Sequence, residues 1–118
     1  MFETLYHYKA RVVKVYDGDT ITVDIDLGLN IWLKNQKIRL AKINAPEVTG
    51  TEKPEGIISR EFLKDLIFNN DVILRTVKDR KGKYGRFLGI IYVKYGDHPY
   101  FNVNEYLVEE GFAEEREY

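Results

Sequence analysis

Residues 15–27, Val15-Tyr16-Asp17-Gly18-Asp19-Thr20-Ile21-Thr22-Val23-Asp24-Ile25-Asp26-Leu27, decide the fold class. From Thr20 to Leu27 polar and apolar side chains alternate without a break, the two-residue period of a strand with one buried face. Asp17-Gly18-Asp19 just before it is a turn signal, and the Val- and Tyr-rich residues 8–16 read as the partner strand. Further along, residues 37–43 alternate in part and read as a third strand, stopped by Pro46, which lacks the donor a ladder needs. Residues 48–56 read as a loop. The period then lengthens: Ile57, Ile58, Phe62, Leu63, Leu66 and Ile67 recur at roughly helical spacing, with Arg60, Glu61, Lys64 and Asp65 on the other face. Pro54 fits the first turn of that helix and Asn69-Asn70 its exit.

Residues 72–77 and 87–95 are two further β-rich runs, joined by the basic segment Lys78 to Gly85. Asn102 is placed to cap a short helix with Glu105 as its box partner, Val103, Tyr106 and Leu107 facing the core and Gly111 ending it. Three strands, a helix, two strands and a short helix is the order of a five-stranded OB-fold barrel. The expected class is therefore mainly β with helices (α+β), with one helix between strands 3 and 4, a short C-terminal helix, and a single domain over residues 1–118.

Composition narrows the chemistry. The 118 residues are 44% hydrophobic and 31% charged and include no cysteine, so disulfides, thiolate zinc sites and a cysteine nucleophile are excluded. His7 and His98 lie far apart and flank nothing suggestive, which leaves a zinc site or a Ser-His-Asp triad poorly supported. There is no apolar run of membrane-spanning length, and residues 1–10 lack the core of a secretory signal. The compartment stays open between a cytoplasmic, a phage-encoded and a processed secreted form. The net charge of −1 is uneven: residues 1–104 carry 17 Lys/Arg against 13 Asp/Glu, while residues 105–118 carry six glutamates and one arginine. A mildly basic body thus ends in an acidic tail.

Three polar clusters fall at strand ends: Asp17-Gly18-Asp19-Thr20, Arg39 with Asn44-Ala45-Pro46-Glu47, and Lys83-Tyr84-Gly85-Arg86. Each alone reads more simply as a turn, a solvated strand face or a hairpin loop. Together they suit phosphodiester chemistry. A hard cation takes oxygen ligands, which Asp19, Asn44 and a backbone carbonyl supply. The planar forks of Arg39 and Arg86 match phosphate oxygens and gain strength as charge builds on them. Glu47 is available to orient or deprotonate water.

The chain resembles the staphylococcal nuclease (thermonuclease) family. The resemblance is carried by Val15-Tyr16-Asp17-Gly18-Asp19-Thr20, by Ile38-Arg39-Leu40 through Ile43-Asn44-Ala45-Pro46-Glu47, by Lys83-Tyr84-Gly85-Arg86-Phe87-Leu88 with Ile91-Tyr92, and by Val103 to Val108 with Gly111 and Ala113. It implies an OB-fold, calcium-dependent nuclease that cuts DNA and RNA with little sequence preference and leaves 3′-phosphate ends. By position it makes Asp19, Asn44 and the Ala45 carbonyl the metal ligands, Arg39 and Arg86 the catalytic arginines and Glu47 the general base. Lys83 and Tyr84 become contacts to the nucleotide's terminal phosphate and sugar.

Two departures stand out. Asn44 takes the place of the family's second metal aspartate, so one ligand loses its charge. Near the C-terminus Glu117 falls where the family's base-stacking tyrosine is expected, with Tyr118 adjacent as its substitute. The expected substrate is single-stranded or frayed DNA or RNA, bound by a monomer with no membrane partner. The alternatives are a non-catalytic nucleic-acid or peptide-binding module, for which Asn44 and the acidic tail argue, and a purely structural OB domain.

Overall fold

The computed structural model describes residues 5–81 and 86–116, with backbone alone for residues 78–81. β1 (His7–Asp17) and β2 (Thr20–Asp26) form the opening hairpin. Ile21, Val23 and Ile25 of β2 are buried while Thr22, Asp24 and Asp26 are half-buried, as the alternation predicts. Gly18 lies in the hairpin turn, where a Cβ would approach the Ala45 Cβ to 2.7 Å and the Ser59 Cβ to 2.9 Å. Only glycine lets the turn pack that closely.

β3 (Trp32–Leu40) starts five residues before the expected strand. The signal is interrupted because Asn35 takes a left-handed φ of 55° and the β2–β3 register shifts between Val23 and Ile25. Lys42, at φ 68°, then breaks the chain, so Ile43–Asn44 is a separate short strand, β4. A 3-10 turn at Gly50–Glu52 leads into α1 (Lys53–Ile67), which holds Pro54 in its first turn. Gly56, Ser59, Leu63 and Ile67 form its buried stripe, and Ile58, expected on the apolar face, is exposed.

β5 (Asp71–Lys81) and β6 (Phe87–Val93) pair antiparallel, and β5 also pairs with β1. Residues 38–40 of β3 run parallel to residues 87–89 of β6, which closes the five long strands into a barrel. β7 (Phe101–Asn102) pairs antiparallel with the end of β6, and α2 (Val103–Glu109) follows, its Glu105 N–H donating to the Asn102 side chain at 3.0 Å. Gly111, at φ 84°, turns the chain out of the helix, and β8 (Glu114–Glu115) pairs with β4.

The core joins barrel and helices: Ile21, Ile38, Leu40, Leu63, Ile67, Leu74, Ile91 and Leu107 are fully buried in one cluster. Among them sits one fully satisfied amide. Asn104 donates to the Ala41 and Gly89 carbonyls, each at 3.0 Å, and accepts from the Ile91 N–H at 3.2 Å. That side chain pins α2 to β6 and to the end of β3.

Candidate active site

The site begins at the turn between β1 and β2. Asp17 accepts a hydrogen bond from the Asp19 N–H at 3.1 Å, an Asx-type contact that fixes the turn. Asp19 is then carried inward, only 5% exposed. Its Oδ1 accepts from the Thr20 hydroxyl at 3.1 Å, and its Oδ2 accepts from the Ala45 N–H at 2.8 Å. This last bond ties the first hairpin to the loop that follows β4. Burial, reinforced by the neighbouring Asp19 carboxylate, pushes the Asp17 carboxyl up to about 7.

Arg39 lies opposite Thr20 in the β2–β3 register and is 9% exposed. One of its terminal nitrogens donates to the Leu40 carbonyl at 2.8 Å. The other lies 3.3 Å from Asp19 Oδ2 and 3.4 Å from Asn44 Oδ1. The guanidinium is thus a hub for the β1–β2 turn, β3 and β4. A nearly buried ion pair of this kind adds little net stability, yet losing one partner costs about 3–5 kcal/mol because the other is left uncompensated.

Beside this cluster opens a cleft of about 470 Å³ lined by Lys14, Tyr16, Asp17, Thr20, Thr22, Lys37, Glu47, Val48, Thr49 and Arg86. Glu47 is exposed on its rim, on the loop before α1. Arg86 enters immediately before β6 and is half-buried. The parallel pairing of β3 with β6 brings the chain segments of Arg39 and Arg86 to the same end of the barrel. The cleft is therefore lined by one guanidinium, Arg86, and one exposed carboxylate, Glu47, with the Arg39 segment at the same end of the barrel.

The donors near Asp19 suit a hard cation, being oxygens of Asp17, Asp19 and the Asn44 amide. Among the described residues no three His, Cys, Asp or Glu side chains converge as a metal site. The link between Asp19 and Asn44 is the Arg39 guanidinium, and Ala45 meets Asp19 through its N–H. Lys83, Tyr84 and Tyr118 lie outside the described residues. The structure gathers Asp19, Arg39, Asn44 and Ala45 into one bonded cluster, with Glu47 and Arg86 on the adjoining cleft.

Of the tail glutamates, Glu105, Glu109 and Glu115 line a different cavity of about 530 Å³, which shares no residue with the cleft. Among the cleft residues that escaped the sequence reading are Lys14, Thr22 and Lys37. The signal was the same two-residue period, since Thr22 shares a strand face with Thr20, and Lys37 with Arg39.

A family model described as staphylococcal nuclease homologue matches residues 37–118. Among curated proteins, a micrococcal nuclease of Shigella flexneri is 33% identical over 110 residues, covering 90% of this chain and 57% of its own length. A thermonuclease of Staphylococcus hyicus is 34% identical over 111 residues, covering 92% of this chain and 59% of its own. An uncharacterized endonuclease of Haemophilus influenzae is 35% identical over 104 residues, 88% of this chain and 50% of its own. The chain spans between half and three-fifths of the length of these relatives.

Proposed function

Since this chain belongs to the staphylococcal nuclease homologue family, we propose that it hydrolyses phosphodiester bonds of DNA and RNA, with calcium, low sequence preference and 3′-phosphate products. The observation that carries the reading is the convergence of Arg39, Arg86 and Glu47 at one end of the barrel, beside the buried Asp19.

In this reading Glu47 takes a proton from water as the water oxygen bonds to phosphorus. The P–O5′ bond breaks, and the departing alkoxide takes a proton from solvent, leaving the phosphate on the 3′ side. Negative charge grows on the phosphoryl oxygens as this happens. Arg39, held by Asp19 and the Leu40 carbonyl, and Arg86 present guanidiniums that bind this charge more tightly than the ground state. Preorganisation matters here: Arg39 is already desolvated and fixed, so little reorganisation accompanies the reaction. Asp19, Asn44 and the Ala45 carbonyl, with Asp17 beside them, would hold calcium, which would supply positive charge for the phosphodiester. Lys83 and Tyr84 are assigned to the nucleotide's phosphate and sugar, Tyr118 to its base, the substrate being single-stranded or frayed and the protein a monomer. Among the described residues no helix is long and apolar enough to cross a membrane.

One observation favours the second reading, a non-catalytic binding module. The Asp19 carboxylate already accepts from Ala45 and Thr20 and pairs with Arg39, and Asn44 adds no charge. Digestion of single-stranded DNA across a calcium titration, with analysis of product ends, separates the two. Calcium-dependent cleavage to 3′-phosphates that is lost in Arg86→Ala establishes the nuclease. DNA binding with no cleavage at any calcium level establishes the module.

A further inference from the structure

The cleft continues along the sheet past the groups the reaction uses. In the strand register Asp17 lies opposite Thr20 and Thr20 opposite Arg39, which makes one row across β1, β2 and β3. The next row is Lys14 opposite Thr22 and Thr22 opposite Lys37. A two-residue step along a strand keeps the face and advances about 6.6 Å. It thus places the second row roughly one nucleotide step of an extended strand from the first. Tyr16 occupies the β-bulge between Val15 and Asp17, and bulges beside active sites re-aim side chains. It is 51% exposed and lines the same cleft as Glu47 and Arg86.

The two lysines have no internal role. Both are exposed, and among the described residues neither takes part in an ion pair or hydrogen bond. Lys34, on the same strand as Lys37, is engaged by Asp24 at 3.4 Å. Lys14 and Lys37 instead stand on the two strands flanking β2, about 10 Å apart at the backbone, with the Thr22 hydroxyl between them. Two uncompensated ammonium groups across one hydroxyl donor match a single phosphodiester anion, which accepts from all three.

We propose that Lys14, Thr22 and Lys37 form a second phosphate subsite for the phosphodiester adjacent to the one cleaved, with Tyr16 as the face on which the intervening base stacks. The proposal rests on the nuclease reading and extends it: the substrate is a strand of several nucleotides laid along β1–β2–β3. Stacking on a tyrosine face serves any base, in keeping with low sequence preference.

The test compares the parent protein, the Lys14→Ala/Lys37→Ala double variant and the Lys14→Arg/Lys37→Arg double variant. Hydrolysis is followed on a thymidine dinucleotide with one phosphodiester and on an oligothymidylate octamer. Fluorescence anisotropy of the labelled octamer without divalent ions is measured across salt concentrations. The alanine variant is expected to lose about tenfold in kcat/KM on the octamer through KM. Its log–log salt slope should fall by about 0.7, the value for one phosphate contact on a single strand. Dinucleotide hydrolysis should stay unchanged, and the arginine variant should recover octamer binding. Equal losses on dinucleotide and octamer, or no loss on either, overturn the subsite. If the parent cleaves nothing, the nuclease reading falls by itself; the anisotropy slope then still decides the subsite, an unchanged slope refuting it.

Discussion

Gly56→Ala tests whether the helix sets the position of the Glu47 loop, the loop proposed to carry the general base. Gly56 lies in the first turn of α1, on the stripe it shares with Ser59, Leu63 and Ile67. A Cβ built there overlaps the carbonyl carbon and oxygen of Glu47 and lies 2.8 Å from the Val48 nitrogen. These are backbone atoms, so no rotamer change relieves the overlap. Carbon and oxygen settle at about 3.3 Å or more, so loop and helix must part by more than about 1 Å. Alanine would otherwise strengthen a helix by up to about 1 kcal/mol over glycine, while overpacking costs about 1–3 kcal/mol. The expected net is a modest fall in stability. The effect on catalysis is larger, because a misplacement of about 1 Å in a reacting group costs on the order of 100-fold. Steady-state cleavage of single-stranded DNA, on protein shown to be folded by circular dichroism, should give a kcat about 100-fold down with KM little changed. A kcat within twofold of the parent, with an unchanged or raised Tm, would refute the reasoning, since it would mean that the helix does not hold the Glu47 loop.

Asn104→Ala removes three hydrogen bonds and leaves the Ile91 N–H and the Ala41 and Gly89 carbonyls without their partner in the core, so urea unfolding should show a loss of about 3–5 kcal/mol; a loss under about 1 kcal/mol contradicts it. Asn44→Asp adds a carboxylate beside Asp19 and should tighten calcium in an equilibrium titration, whereas unchanged affinity would remove Asn44 from the ligand set. Arg39→Lys keeps the charge but loses the fork that reaches the Leu40 carbonyl, Asp19 and Asn44 together, so kcat should fall about 100- to 1,000-fold. Activity within threefold of the parent would show that a point charge suffices there.

Local order was legible where the chain repeats itself. The alternation over Thr20–Leu27 marks β2 almost to the residue, and the turn before it carries Asp19 as expected. What could not be read depends on contacts distant in sequence. The parallel closure of β3 on β6 has no local signature, although it makes neighbours of the Arg39 and Arg86 segments. Arg39 read as a solvated strand residue when taken alone, and its burial follows from the β4 loop folding over it. Asn104 looks like any polar residue of a short helix, because its three partners lie 13 or more positions away. Gly18 and Gly56 differ: each reads as a turn or helix glycine, but its meaning is the absence of a Cβ against another segment.

These glycines explain how a barrel this small holds a dispersed site. The candidate residues come from four segments: the first turn, the end of β3, β4 with the loop that leads to α1, and the start of β6. Strand pairing aligns Asp17, Thr20, Arg39, Asn44 and the residues next to Arg86. The rest are gauged by α1. Gly56 receives the Glu47 backbone, and the Ser59 Cβ meets the turn at Gly18, which also abuts Ala45. The Ser59 hydroxyl donates to the Phe112 carbonyl at 2.8 Å, while Phe62 stacks on Phe112 with ring centres 3.9 Å apart. One helix face therefore sets the spacing of the Asp17–Asp19 turn, the Ala45 N–H that holds Asp19, the Glu47 loop and the segment after α2. Enlarging a small residue on that face should act on several of these at once, so the effects of Gly18→Ala and Gly56→Ala on kcat should be non-additive, because both changes press on the same short stretch from Ala45 to Val48. A double-mutant cycle reads this directly, and strict additivity would show that the helix positions each segment separately.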